Sequence, residues 1–176
     1  VKILLEAGVP ETDVINDSVT PLCIAAQEGH VEVVRILTVA CPEQKDTATS
    51  DGLTPLMFAV QNGHAATVVA LLRAGADRNK ASNGGARFTP LGIAAFEGRV
   101  ELVNILLGAG VEMDKAMEGG ATPLFVAVAC RHVEIVKTLL AVGADMDGAM
   151  HQGTTPLNIA VANAHVEVVT ILLEAG

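Results

Sequence analysis

Four of the five histidines, His30, His64, His132 and His165, recur at matched intervals, with 34 residues between the first two and 33 between the last two. Imidazoles in such a series are metal-ligand material, but an ion holds its ligands at bonds of about 2 Å. Stacked helical units stand roughly 10 Å apart, so histidines one unit apart cannot share an ion. Their expected role is structural, in capping and turn hydrogen bonds. Cys130-Arg131-His132 places a thiol beside an imidazole, yet nucleophilic catalysis also needs an orienting acid and oxyanion donors. Neither accompanies it. Gly84-Gly85 follows no strand pattern and lacks the Lys-Ser/Thr of a phosphate-cradling loop. The residues therefore predict no catalysis, no metal and no cofactor.

The elements that carry these residues are set by a tripeptide. Thr-Pro-Leu begins at Thr20, Thr54, Thr89, Thr122 and Thr155, in steps of 34, 35, 33 and 33 residues. A fixed period of this size marks a solenoid, in which each unit buries its apolar face against its neighbours. The stretch TPLGIAAFEGRVELVNILLGAG from Thr89 shows one unit. Thr89 can cap a helix through its side chain, and Pro90 suits the first helical position. Leu91, Ile93, Ala94 and Ala95 supply an apolar face, and Gly98 ends the helix in a left-handed turn. Val100, Val103, Ile105, Leu106 and Leu107 continue at helical spacing until Gly110. A polar, glycine-rich connection leads to the next Thr-Pro-Leu. The fold expected is an all-α solenoid of helix–turn–helix units with projecting fingers.

The recurring Thr-Pro-Leu, the Gly-His turns at Gly29-His30 and Gly63-His64, Val33-Val34, and Gly75-Ala76-Asp77 together resemble the ankyrin repeat. The resemblance covers essentially the whole chain. It implies repeats at 15–47, 48–82, 83–116 and 117–149, flanked by partial repeats at 1–14 and 150–176, with β-hairpin fingers across the helices. Val1 begins inside a second helix, since VKILLEAG matches VTILLEAG at 169–176. A piece of a longer array is therefore expected. Several positions depart from the family pattern. The residue after Thr-Pro-Leu, usually His, is Cys23, Met57, Gly92, Phe125 or Asn158, so a finger-tying hydrogen bond is expected to be missing throughout. Arg131 and Ala164 replace the turn glycine. Cys41-Pro42 replaces Gly-Ala, and the connection at 80–87 is long.

The 176 residues are 51% hydrophobic but include only four aromatics, all Phe. Such a core must be aliphatic and tightly packed. Eleven Lys and Arg against 20 Asp and Glu leave a formal charge of -9, which repels phosphate backbones and favours a basic protein partner over nucleic acid. No apolar run reaches the roughly 18 residues of a membrane span. The first residues do not resemble a signal peptide. Three dispersed cysteines suggest free thiols and an intracellular, cytoplasmic setting.

The family resemblance implies protein binding through a concave groove and the finger tips. The candidate partner-binding residues are Gln27, Glu28, Gln61, Asn62, Arg87, Phe88, Phe96, Glu97, Met117, Met150 and His151. Phe96 is an aromatic at a position expected to face solvent, and Phe88 lies in the long finger beside it. Met117 and Met150 take the place of the usual finger-tip Asp and are expected to offer exposed, adaptable contacts. The alternative reading is a regulatory or substrate-recruiting segment of a larger enzyme, such as a kinase, phosphatase or ubiquitin ligase assembly.

Overall fold

A computed structural model describes residues 19–84 and 87–176. The expected partial repeat at 1–14 and two residues of the long finger, 85 and 86, lie outside the described residues. Five helix pairs follow one another: α1 (Pro21–Gln27) with α2 (Val31–Ala40), α3 (Pro55–Gln61) with α4 (Ala65–Arg73), α5 (Pro90–Phe96) with α6 (Val100–Gly108), α7 (Pro123–Ala129) with α8 (Val133–Ala141), and α9 (Pro156–Ala162) with α10 (Val166–Ala175).

Each first helix starts by the same device. Thr20, Thr54, Thr89, Thr122 and Thr155 are extended, and each Oγ1 accepts from the backbone N–H three residues on, at 3.0 to 3.3 Å. The proline that follows lacks an N–H the helix would leave unpaired anyway. Each cap is worth about 1 kcal/mol.

First helices stack on first helices, α1 on α3, then α5, α7 and α9, and second helices stack likewise. The small residues Ala59, Ala94, Ala127 and Ala160 are fully buried between them. Leu56, Leu91 and Leu124 fill one layer, and Leu71, Leu106, Leu139 and Leu172 another. The core is thus aliphatic and continuous from pair to pair.

The turns inside the pairs are left-handed. Gly29, Gly63 and Gly98 lie at φ 69 to 80°, and Arg131 (59°) and Ala164 (54°) keep the same conformation despite carrying a Cβ. Each of those two substitutions costs about 1 kcal/mol.

Three of the repeated histidines tie repeats together, and none of the four caps its own helix through its side chain. His64 Nε2 lies 2.8 Å from the Gln27 carbonyl, His132 Nε2 3.0 Å from the Phe96 carbonyl, and His165 Nδ1 3.0 Å from the Val128 carbonyl. The helix end they serve belongs to the preceding repeat. The glycine turn makes room for this: a Cβ on Gly29 would meet the His64 ring at 2.6 Å, and one on Gly98 the His132 ring at 2.7 Å. Where Arg131 stands in that turn, His165 takes a carbonyl one residue earlier and uses its other nitrogen.

The connections also interlock. The Asp46 carboxylate accepts from the Asp77 N–H (2.7 Å), the Asn79 amide oxygen from the Glu112 N–H (2.9 Å) and the Asp114 carboxylate from the Asp145 N–H (3.0 Å). Finger tips close as tight turns, with Met117 N–H donating to the Ala121 carbonyl and Met150 N–H to the Thr154 carbonyl. No strand forms among the described residues. After the short α2 exit at Cys41, Pro42–Asp46 coils into a 3₁₀ turn in place of a Gly-Ala stop.

The finger tie expected to be missing is partly replaced. Thr20 Oγ1 reaches Cys23 Sγ at 3.3 Å, and that thiol approaches the Thr47 carbonyl at 3.9 Å. Asn158 Oδ1 accepts from both the N–H and the hydroxyl of Thr155, completing a capping box.

Candidate functional site

The ends of the first helices and the finger turns form one face of the stack. Along it, Gln27-Glu28, Gln61-Asn62 and Phe96-Glu97 are exposed, while Ala129-Cys130 are half-buried. These residues sit at the last turn of each first helix, where the following repeat reaches the backbone carbonyls of Gln27 and Phe96 but leaves their side chains exposed.

Phe96 is the largest apolar group on this face and is 51% exposed. The Phe88 ring packs against it, with centroids 6.0 Å apart and planes tilted by 52°. Such a pair is worth about 0.5–1.5 kcal/mol beyond the area it buries, which holds both rings in place without covering them. Phe88 is itself positioned by its finger, where its carbonyl accepts from Ser82 N–H at 2.9 Å.

A hollow opens on each side of the ring pair. One, of about 250 Å³, is lined by Leu53, Gln61, Phe88, Ile93, Phe96 and Glu97. The other, of about 270 Å³, lies between Phe88, Phe96, Phe125, Ala129, Cys130 and the finger residues Met117, Glu118 and Ala121. Both have mainly apolar walls, and the charged residues lining them are Glu97 and Glu118, one in each.

Met117 differs from expectation. It is only 7% exposed and lies over Gly92, where a Cβ would come within 2.3 Å of its sulfur. The glycine that takes the usual His position leaves a gap, and the methionine of the next finger fills it. Met117 is therefore a wall of the second hollow and no projecting contact. Met150 is half-buried, with its methyl 3.1 Å from the Cβ position of Gly119, and His151 N–H donates to the Gly119 carbonyl. These two residues lie one finger beyond the hollows, and His151 is exposed. Asn62 turns its amide back onto the Phe58 carbonyl at 2.9 Å. Arg87 is exposed at φ 44° beside Phe88.

The structure thus gathers Gln61, Phe88, Phe96, Glu97 and Met117 around one place. Gln27 and Glu28 continue the same row toward the N-terminus. The sequence reading missed Leu53, Ile93, Glu118 and Phe125 as lining residues. Phe125 was available from the Thr-Pro-Leu register, since it occupies the position of Gly92 one repeat later.

Burial, and then the nearby Glu97 carboxylate, push the Cys130 thiol above its ordinary pKa. It therefore stays protonated at neutral pH, the opposite of an activated nucleophile. His132 Nε2 is engaged with the Phe96 carbonyl. Among the described residues no three His, Cys, Asp or Glu converge as a metal site, and no helix is long and apolar enough to cross a membrane.

A wider hollow of about 640 Å³ lies between α4 and α6 on the second-helix side. Gly75 and Gly108 form part of its wall, and nothing lies within 4 Å of the Cβ position of either. Part of its polar rim is already paired: Arg78 Nε donates to the Gly110 carbonyl and Asn79 Nδ2 to Glu112, both at 3.0 Å. It lacks the exposed aromatic and the apolar walls of the other two.

No curated protein is recognisably similar to the chain. The family profile described as "Ankyrin repeats (3 copies)" matches it over residues 1–82, 40–117 and 91–176. Those overlapping matches take in the helix pairs, their left-handed turns and the fingers described above, and the chain belongs to the ankyrin repeat family.

Proposed function

We propose that this chain is a non-catalytic protein-binding segment that holds its partner on the face formed by the first-helix ends and the finger tips. Ankyrin repeats generally mediate protein–protein interaction. The observation that carries the placement is the Phe88–Phe96 pair, half-open to solvent with an apolar hollow on either side. Exposed aromatics in well-formed pockets are the usual anchors of a binding surface. Gln27, Glu28, Gln61, Asn62, Glu97 and Arg87 form the polar rim, with Met150 and His151 at its far end. The acidic balance of the chain favours a partner that presents Lys and Arg. Its setting is intracellular.

The test is quantitative capture by the purified chain, with captured proteins identified by mass spectrometry. A Phe88→Ala/Phe96→Ala double variant with an unchanged melting profile is expected to lose the specific partner. Equal capture by wild type and variant, or loss only after changes on the second-helix face, rejects this placement.

A further inference from the structure

We propose that the two hollows flanking Phe96 are paired seats for an extended, polyproline-II-like peptide segment bearing apolar side chains at positions i and i+3 and a Lys or Arg beside them. This deepens the protein-binding reading above and rests on it. The hollows belong to successive repeat junctions, one at Gln61 and Phe96 and the other at Phe96 and Cys130. Their separation is therefore one repeat step, about 10 Å for packed helices.

Backbone geometry then selects the occupant. A polyproline II segment turns once in 3 residues and rises about 3.1 Å per residue, so i and i+3 point the same way about 9 Å apart. A β-strand places same-side residues at about 7 or 13 Å, and neither matches. An α-helix reaches about 10.5 Å at i and i+7, but its i+3 and i+4 side chains would face the ridge made by Phe96. In the polyproline II segment the two intervening residues turn away from that ridge. This conformation makes no internal hydrogen bonds and stays solvated, so it needs no free strand edge, and the described residues form no strand.

Charge sets the flanks. Glu97 lines one seat and Glu118 the other, while no Lys or Arg lines either. Arg87, Arg131 and Arg99, whose guanidinium lies over Gly63, are the cations beside this face; all three are exposed and none lines either seat. The local negative charge also shows in Cys130, whose raised thiol pKa owes its second cause to Glu97.

The experiment is selection of a display library of random dodecapeptides on the purified chain. Enriched peptides are expected to share an apolar pair at i and i+3 with an adjacent Lys or Arg. Their binding should fall at least about tenfold in Phe96→Ala. It should fall likewise in Ala129→Met, which fills the second hollow from its half-buried wall, each variant first shown to melt as wild type. A bound peptide should slow iodoacetamide labelling of Cys130, the one cysteine of the three that is not buried. Enriched peptides with apolar spacing of i, i+4 and i+7, or with acidic flanks, overturn the proposal, as does a selection that enriches nothing. Binding lost in Gln27→Arg/Glu28→Arg but intact in Phe96→Ala rejects the two seats and leaves protein binding by this face standing. Binding unchanged in all these variants rejects both.

Discussion

Phe96, Gly92 and Thr67 show how much single residues decide here. Removing either aromatic of the pair, by Phe96→Ala or Phe88→Ala, should weaken a partner by about 1–3 kcal/mol, checked by titration calorimetry once that partner is known. Gly92 and Met117 are a matched pair across two repeats. Gly92→Ala puts a methyl into the methionine sulfur and should destabilise the fold by about 1–3 kcal/mol, near the lower end because the methionine is flexible. With Met117→Ala added, the loss should be smaller than the sum of the two single changes in urea melts. Strict additivity would show that the two do not share one space. Thr67 is a buried hydroxyl without a partner, at the position held by Leu102, Ile135 and Val168 in later pairs. Thr67→Val should therefore stabilise by about 1 kcal/mol in the same assay. The Cys130 thiol is a pH reporter. Its raised pKa means that the unfolded chain ionises first as pH rises, so any contribution to stability is lost only at alkaline pH, above the ordinary thiol range. Glu97→Gln removes the second cause of the shift, and labelling of Cys130 at mildly alkaline pH should then be faster.

At the level of the element, the helix pair was legible in the sequence almost in full. Thr-Pro-Leu sets the cap and the first turn, and alanines at fixed positions set how closely first helices approach. Two things were not legible. The histidine's partner lies in the preceding repeat, and which carbonyl it takes depends on whether glycine or arginine forms the turn there. Met117 was misread as exposed because its environment is made by a glycine 25 residues earlier, and no local pattern records that vacancy. The Phe88–Phe96 contact was foreseeable, since the repeat register places the long finger over the end of α5. Turn strain gives a prediction at this scale. Arg131→Gly and Ala164→Gly each relieve a left-handed residue with a Cβ and should each raise stability by about 0.5–1 kcal/mol, after the extra chain entropy of glycine is subtracted. Destabilisation by either change would mean that the side chain itself holds the turn.

For the whole molecule, each repeat contacts only its neighbours, so stability is a sum of unit and junction terms. The two strained turns both lie in the last two helix pairs, and their amides should exchange before those around α3 to α6. The net charge of -9 acts on the molecule as a body. Association with a basic partner should slow as salt rises from low to physiological strength. Stopped-flow rates that ignore ionic strength would remove charge from the account of partner choice.

One residue belongs to two structures at once. The Phe96 ring divides the hollows, while its carbonyl is held by His132 of the following repeat. Whatever seats itself against the ring also steadies the atom on which the next repeat is latched. Occupancy and cohesion are then thermodynamically linked, and the free energy of one is readable in the other. A bound segment should raise the melting temperature of the array and slow exchange of the amides around His132, which follows the Cys130 wall of the second hollow by two residues. In this molecule heat stability is a gauge of whether the surface is filled.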